Sequence, residues 1–304
     1  MSYFSKVSNE FFYGLNGDQE KSILKEVNDN KVLLIIHNLY LMTDRKGRAI
    51  TSIDFLIEEC GYKVTKKCQT QVKDILNALK ELNLISFEGE IKSYTKIIKI
   101  NTENLNVENE FFVFEEEELE TISNLSDDIR EVNNLLKIYL YLKARCYKKK
   151  NNDGTGRSQT TYVSYKNIAN HTLIGEGNIK KYIDILKESG LIAYKNLGLK
   201  YKEGYKEYKN ECSNLYALMK ISGSEKWLKQ DLKEGLKQQR FDYESKGYII
   251  VEKGDYLYND RKINGRKGYL IKKENNNALT DEEKEELNKI RAREEIIKDT
   301  FSFN

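Results

Sequence analysis

Asn178 to Ile192 reads NIKKYIDILKESGLI, and Gln71 to Ile85 reads QVKDILNALKELNLI. Laid over each other at an offset of 107 residues, Val72 falls on Ile179, Ile75 on Tyr182, Leu76 on Ile183 and Leu79 on Leu186. This is the i, i+3, i+4, i+7 stripe of an amphipathic helix. Lys80-Glu81 then overlies Lys187-Glu188, and Leu84-Ile85 overlies Leu191-Ile192. Between helix and strand stand Asn83 in one copy and Gly190 in the other, the two residue types that best tolerate the left-handed conformation ending a helix. Each segment therefore predicts a helix, a left-handed cap and an immediate turn into a strand.

Working outward, the repeat continues. Val32, Ile35, Ile36, Leu39 and Tyr40 form one helical stripe, and Val132, Leu135, Leu136, Tyr139 and Leu142 form another. A polar loop and a short β-prone segment follow each, at Arg48 to Thr51 and at Thr160 to Val163. Next comes a helix with a Ser or Thr N-cap: Thr51 or Ser52 before Ile53 to Cys60, and Ser164 before Tyr165 to His171. Gly61 is placed to stop the first of these. Downstream, a hairpin is predicted from Ile85–Phe87 and Lys96–Ile100, and a second from Leu191–Tyr194 and Leu215–Met219. Helix, short strand, helix, helix, strand, wing, strand is the order of a winged helix-turn-helix. The fold class expected is α+β, mainly helical: two such domains in tandem, at 1–100 and 129–221, an acidic linker at 101–128, exposed but pinned to a domain by Phe111, Phe112 and Phe114, and a C-terminal extension at 222–304.

The second copy resembles the helix-turn-helix domain of plasmid and phage replication initiators and replisome organisers. The residues that carry the resemblance are Ile138-Tyr-Leu-Tyr-Leu142, Tyr162-Val-Ser-Tyr-Lys-Asn-Ile-Ala169, Tyr182 to Ile192 and Asn214-Leu-Tyr216. The opening Tyr3-Phe4, Val7 and Glu10-Phe11-Phe12 is similar to the lead-in before such domains, and Glu110-Phe-Phe-Val113 echoes it ahead of the second copy. The first copy departs by carrying Gly61-Tyr62-Lys63-Val64 at the turn before its third helix. The resemblance implies a non-catalytic protein that binds origin repeats in double-stranded DNA and recruits host replication proteins, with homodimerisation an option. A transcriptional regulator on a palindromic operator and a winged-helix adaptor for other proteins are the alternatives.

The charge pattern points the same way. The net charge of +3 hides a segment, 101 to 130, with ten acids against Arg130 alone, so the remainder carries +12. From Leu142 to Lys209 fifteen Lys or Arg face six acids, the balance of a surface that meets a polyanion. A recognition helix buries its apolar stripe and offers the rest to the major groove. In the second copy this leaves Asn178, Lys180, Lys181 and Asp184 facing out, with Ser164 and Lys166 at the start of the preceding helix. In the first copy the outward set is Lys66, Lys67, Gln69, Thr70, Gln71 and Lys73. The second wing, KNLGLKYKEGYKEYK from Lys195 to Lys209, interleaves lysines with tyrosines. Lys195, Lys200, Tyr201, Lys202, Tyr205 and Lys206 are read there as DNA contacts of a flexible hairpin lying along the phosphate backbone or of a tip entering the minor groove. Arg157, in the polar loop after Lys148-Lys149-Lys150, is read likewise.

Beyond residue 220, Glu225 to Arg240 predicts a helix with Trp227 in its core. Tyr248–Val251 and Gly268–Ile271 predict strands, and Thr280 with Glu283 a capping box opening a charged helix.

Several function classes are set aside. The only histidines, His37 and His171, are far apart, and Cys60, Cys68, Cys146 and Cys212 form no CxxC pair, so no metal site is expected. No GxxxxGK[ST] loop is present, and Gly154-Thr-Gly156 is too short for a dinucleotide fingerprint. No cofactor and no catalytic residue is expected. With low cysteine use, no secretory leader and no run of about 18 apolar residues, the expectation is a cytoplasmic protein without membrane contact.

Overall fold

The helical apolar stripe shared by the two copies is buried: Val72, Ile75, Leu76 and Leu79 in one, Ile179, Tyr182, Ile183 and Leu186 in the other. The structure is a computed structural model, and it describes residues 4–92, 95–147, 159–205, 210–252, 266–276, 278–288 and 291. The architecture is α+β, mainly helical, with small antiparallel sheets. The chain divides into two units, Met1–Asn196 with Ser213–Ser245, and Leu197–Cys212 with Lys246–Asn304.

The first unit opens with β1 (Phe4–Ser8), α1 (Ile23–Val27) and α2 (Val32–Leu41), then β2 (Arg48–Thr51), α3 (Ile53–Glu59), α4 (Lys66–Glu81) and β3 (Ile98–Asn101). Ser52 Oγ caps α3 by accepting from Phe55 N, and Thr65 Oγ1 caps α4 by accepting from Cys68 N. Asn83 takes the left-handed conformation (φ 56°), and so does Gly190 (φ 77°) at the equivalent place. β3 pairs with β2, from Arg48↔Asn101 to Thr51↔Ile98. The hairpin expected downstream of α4 is reduced to one bridge, Ser86↔Asn101. Ile85, Phe87 and Ile91 turn into the core there, and Gly89 (φ 72°) carries the chain away from a second strand.

The acidic stretch expected as an exposed linker is not one. It forms β4 (Phe111–Glu115) and α5 (Glu116–Ser123), and Phe112, Phe114, Glu118 and Ile122 are buried. β4 pairs antiparallel with β1, Phe4↔Glu115 to Ser8↔Phe111, so the two echoing lead-in segments pair with each other. Charge composition misled here because one face of a four-acid run can be paired inward while the rest stays wet.

The second copy comprises α6 (Ile129–Tyr147), β5 (Thr160–Val163), α7 (Tyr165–Thr172), α8 (Glu176–Glu188) and β6 (Ile192–Lys195). α6 is sealed nearly all round between residues 135 and 144, packed by β4 and α5 and also by α7, α8, β5 and β9 (Asn214–Leu218). One hydrophobic core runs from Val7 to Leu218, so the two copies are not separate bodies on a linker. β5, β9 and β6 form a three-stranded sheet in that order. The short α9 (Met219–Ser222) leads to α10 (Glu225–Glu244), which lies across this sheet. Residues 222–245 therefore belong with the second copy rather than to an extension. Leu228, Leu232, Gly235, Gln239 and Tyr243 make the buried stripe of α10. Trp227 sits about 100° off that stripe and is 57% exposed, not core as expected.

The second unit holds β7 (Gly198–Lys202), β8 (Asn210–Glu211) and β10 (Tyr248–Glu252) in the order β10-β7-β8. The stretch expected as a loose basic wing thus contributes the central strand of a sheet. Its partner β10 is far along the chain, and local pattern cannot reveal that. Residues 266–275 are helical, correcting the strand expected at 268–271, and residues 281–288 form the expected charged helix. Thr280 and Glu283 make the reciprocal capping bonds. Arg266 pairs with Glu286 (2.9 Å) and Lys273 with Glu283 (2.8 Å), while Leu270 and Leu287 are buried. Lys148–Lys150, Arg157 and Lys206 lie outside the described residues.

Candidate nucleic-acid interface

α8 turns its apolar stripe inward and leaves Asn178, Lys180 and Lys181 exposed. Neither lysine is idle. Lys180 Nζ lies 2.6 Å from Asp184 Oδ2, one helical turn on, and Lys181 Nζ lies 2.5 Å from Glu131 Oε1 on α6. Hydrogen bonds to these carboxylates raise both lysine pKa values, and the Lys181 bond lowers that of Glu131. Exposed pairs of this kind exchange readily for another anion. Ser164 is committed to the N-cap of α7, accepting from Asn167 N at 3.2 Å. Lys166 and Lys195 are exposed.

α4 differs. Lys66 and Lys67 are exposed and Lys73 is half-buried, and among the described residues none of the three side chains has a hydrogen-bond or ion-pair partner. The polar neighbours are less available: Gln69 Nε2 donates to Asp54 Oδ1 (2.7 Å) and Thr70 Oγ1 to the Lys66 carbonyl (3.1 Å). Gln71 Oε1 accepts from Lys31 Nζ at 3.0 Å. Of the two helices, α4 thus keeps Lys66, Lys67 and Lys73 unpaired while α8 pairs Lys180 and Lys181, although the sequence match is fuller in the second copy.

Lys200, Tyr201, Lys202 and Tyr205 belong to the second unit. Lys200 and Lys202 flank the Tyr248 ring at 5.2 and 5.7 Å, across the β7–β10 register Lys202↔Tyr248. Tyr205 is 62% exposed next to the turn at Gly204.

Both histidines have structural partners. His37 is buried, with Nε2 donating to Glu116 (3.1 Å) and Nδ1 2.7 Å from Ser5 Oγ, and burial pulls its pKa down against Glu116. His171 bonds the Phe12 carbonyl through Nδ1 (3.0 Å) and stacks on Tyr141. Among the described residues, no group of three or more His, Cys, Asp or Glu is placed to hold a metal ion, and no helix is long and apolar enough to cross a membrane.

The sequence reading missed a cleft of about 460 Å³ beside α4, lined by Asp29, Lys31, Tyr62, Lys67, Arg130 and Leu173 among others. Its one available signal was Lys137, a cation within the largely apolar run from Leu135 to Leu142 of α6. Lys137 is 1% exposed, and its Nζ donates to Asn30 Oδ1 at 2.7 Å. When the chain is compared with known proteins, no family model, curated sequence or solved structure matches it.

Proposed function

We propose that this chain is a sequence-specific double-stranded DNA-binding protein built on two winged helix-turn-helix units, acting without catalysis as an initiator of plasmid or phage replication. The observation that carries the reading is α4: a helix with a fully buried apolar stripe and three unpartnered lysines, Lys66, Lys67 and Lys73, in its N-terminal half. That is the part of a recognition helix that enters the major groove. α8 repeats the arrangement, with Asn178, Lys180 and Lys181 outward, and Asn is suited to an adenine edge. The common core supports the idea that both helices engage one duplex as a rigid pair.

Nuclease footprinting of the purified protein on DNA flanking its gene, at moderate salt, tests the proposal. Protection of several direct repeats is the result expected of an initiator. A single palindrome over a promoter would move the protein to the transcriptional regulators. No protection at any salt would remove the DNA reading and bring a protein-adaptor role forward.

A further inference from the structure

The cleft beside α4 joins the two copies. Lys31 and Tyr62 come from the first copy, Lys67 from the N-terminal turns of α4, Arg130 from the start of α6, and Leu173 from the turn between α7 and α8. Its charge is unbalanced. Lys31, 6% exposed, is held 3.4 Å from Asp29 Oδ1 and 3.0 Å from Gln71 Oε1, with its ammonium 4.8 Å from the Tyr62 ring centre. Asp29 is the only carboxylate among the lining residues. Lys67 and Arg130 are exposed at the cleft and, among the described residues, their side chains have no ion-pair partner. Behind Asn30 the buried Lys137 adds a fourth cation, bound to that one amide oxygen.

Tyr62 fixes the floor, since its hydroxyl accepts from Asn133 Nδ2 at 2.6 Å. A cleft that holds one cation rigidly, offers two more at its mouth and has Asp29 alone among its lining residues to balance them is suited to a tetrahedral polyanion. The guanidinium fork of Arg130 can bond two oxygens of a phosphate at once, and Lys67 can add a point charge.

We propose that this cleft is a phosphate-binding site, gripped by Lys67 and Arg130 around the preset Lys31, and that its phosphate belongs to the backbone of the duplex spanning the two copies. The choice of DNA as source rests on the proposed function; the phosphate site itself does not. A free phosphorylated small molecule would offer the same chemistry, and the volume admits one.

The test uses the full chain and its Lys67→Ala/Arg130→Ala variant. Thermal unfolding is followed in inorganic phosphate against chloride of equal ionic strength, and duplex binding by fluorescence anisotropy. Both side chains are exposed, so the two proteins are expected to melt together in chloride. Phosphate at several times its Kd is expected to raise the wild-type midpoint by roughly 2–4 °C. The variant is expected to lose that rise. A tenfold or greater fall in duplex affinity, with a salt slope shallower by roughly 2, then assigns the phosphate to the DNA backbone. Loss of the phosphate effect with unchanged duplex affinity keeps the site and assigns it to a free phosphorylated molecule, which overturns the backbone assignment. No phosphate effect in the wild type, or one that survives in the variant, overturns the site whatever the duplex does. If the wild type binds no duplex at any salt, the proposed function falls, and the phosphate effect alone decides the cleft.

Discussion

Lys143 Nζ lies 2.5 Å from Glu118 Oε1, and both side chains are closed off from solvent. The same carboxylate oxygen accepts from Tyr139 Oη at 2.8 Å, and Glu118 Oε2 accepts from Glu115 N at 3.1 Å. Burial pulls the Lys143 ammonium below its usual range, with Glu118 acting against it. This pair ties α5 to α6. Removing one partner of a buried ion pair leaves an uncompensated charge, so Glu118→Ala is expected to cost about 3–5 kcal/mol. Adding Lys143→Met to that variant should recover part of the loss. Urea unfolding of the three proteins checks it, and a double variant no more stable than Glu118→Ala would refute the pairing.

Gly235 marks the closest approach of α10 to the sheet. A Cβ there would run into Thr160 Oγ1 and stand 3.0 Å from Leu215 Cδ2. Alanine favours a helix over glycine by about 1 kcal/mol, yet overpacking of about 1–3 kcal/mol should win. Gly235→Ala is therefore expected to lower the melting temperature, and to do so less in a Thr160→Ala background. If Gly235→Ala melts at or above the parent temperature, α10 is not pressed onto β5 and β9 as described.

The two helix ends at Asn83 and Gly190 allow a paired experiment. Both are left-handed, and nothing lies within 4 Å of a Cβ built on Gly190. Space is thus not at issue, only conformation. Gly190→Ala should cost about 1 kcal/mol, while Asn83→Gly should be neutral or mildly stabilising. Denaturant midpoints decide it, and equal effects at the two sites would contradict the shared cap.

Burial pulls Lys137 down to about 8 from an ordinary 10.5. Between those values the unfolded chain holds more protons than the folded one, so stability from this group rises with pH across that window. Below pH 8 both states are protonated and the cost of burying the charge is fully present. Cys60, pushed up to about 12 by burial, has the opposite slope above about pH 9, so the comparison must be with a variant. From pH 7.5 to 9.5 the wild type is expected to gain about 2 kcal/mol relative to Lys137→Met. Parallel stability curves for the two would show that Lys137 stays charged in the folded chain.

The unequal pairing of the two recognition-type helices predicts unequal DNA effects. Lys66→Ala/Lys67→Ala/Lys73→Ala should flatten the salt dependence of duplex affinity by roughly 3. Lys180→Ala/Lys181→Ala should flatten it less, because Asp184 and Glu131 already neutralise those charges in the free protein. Neither variant should shift the melting temperature appreciably. A larger effect from the α8 pair would reverse the assignment of the main contact.

What could be read in the sequence was local and periodic. The 107-residue repeat, the stripes of α4 and α8, the Ser caps of α3 and α7, and the two left-handed ends follow from residue spacing, because backbone conformation and helix faces are set within one or two turns. Solvent exposure of Lys66, Lys67, Lys180 and Lys181 followed from the same stripes.

Pairing over distance was decided by tertiary structure alone. No spacing announces that Glu118 in an acidic run meets Lys143, that β1 pairs with β4, or that β10 takes up the basic wing as its neighbour. A one-position offset around α10 put Trp227 in water while Leu228 went into the core. Which lysines keep a free charge was settled likewise: Asp184 is one turn from Lys180 and readable, but Glu131 beside Lys181 and the Arg130 cleft beside Lys67 exist only once α6 has packed against both copies. Sequence fixes the conformation of each segment through short-range sterics; desolvation and charge pairing depend on which surfaces are buried together, and the assembled core determines that.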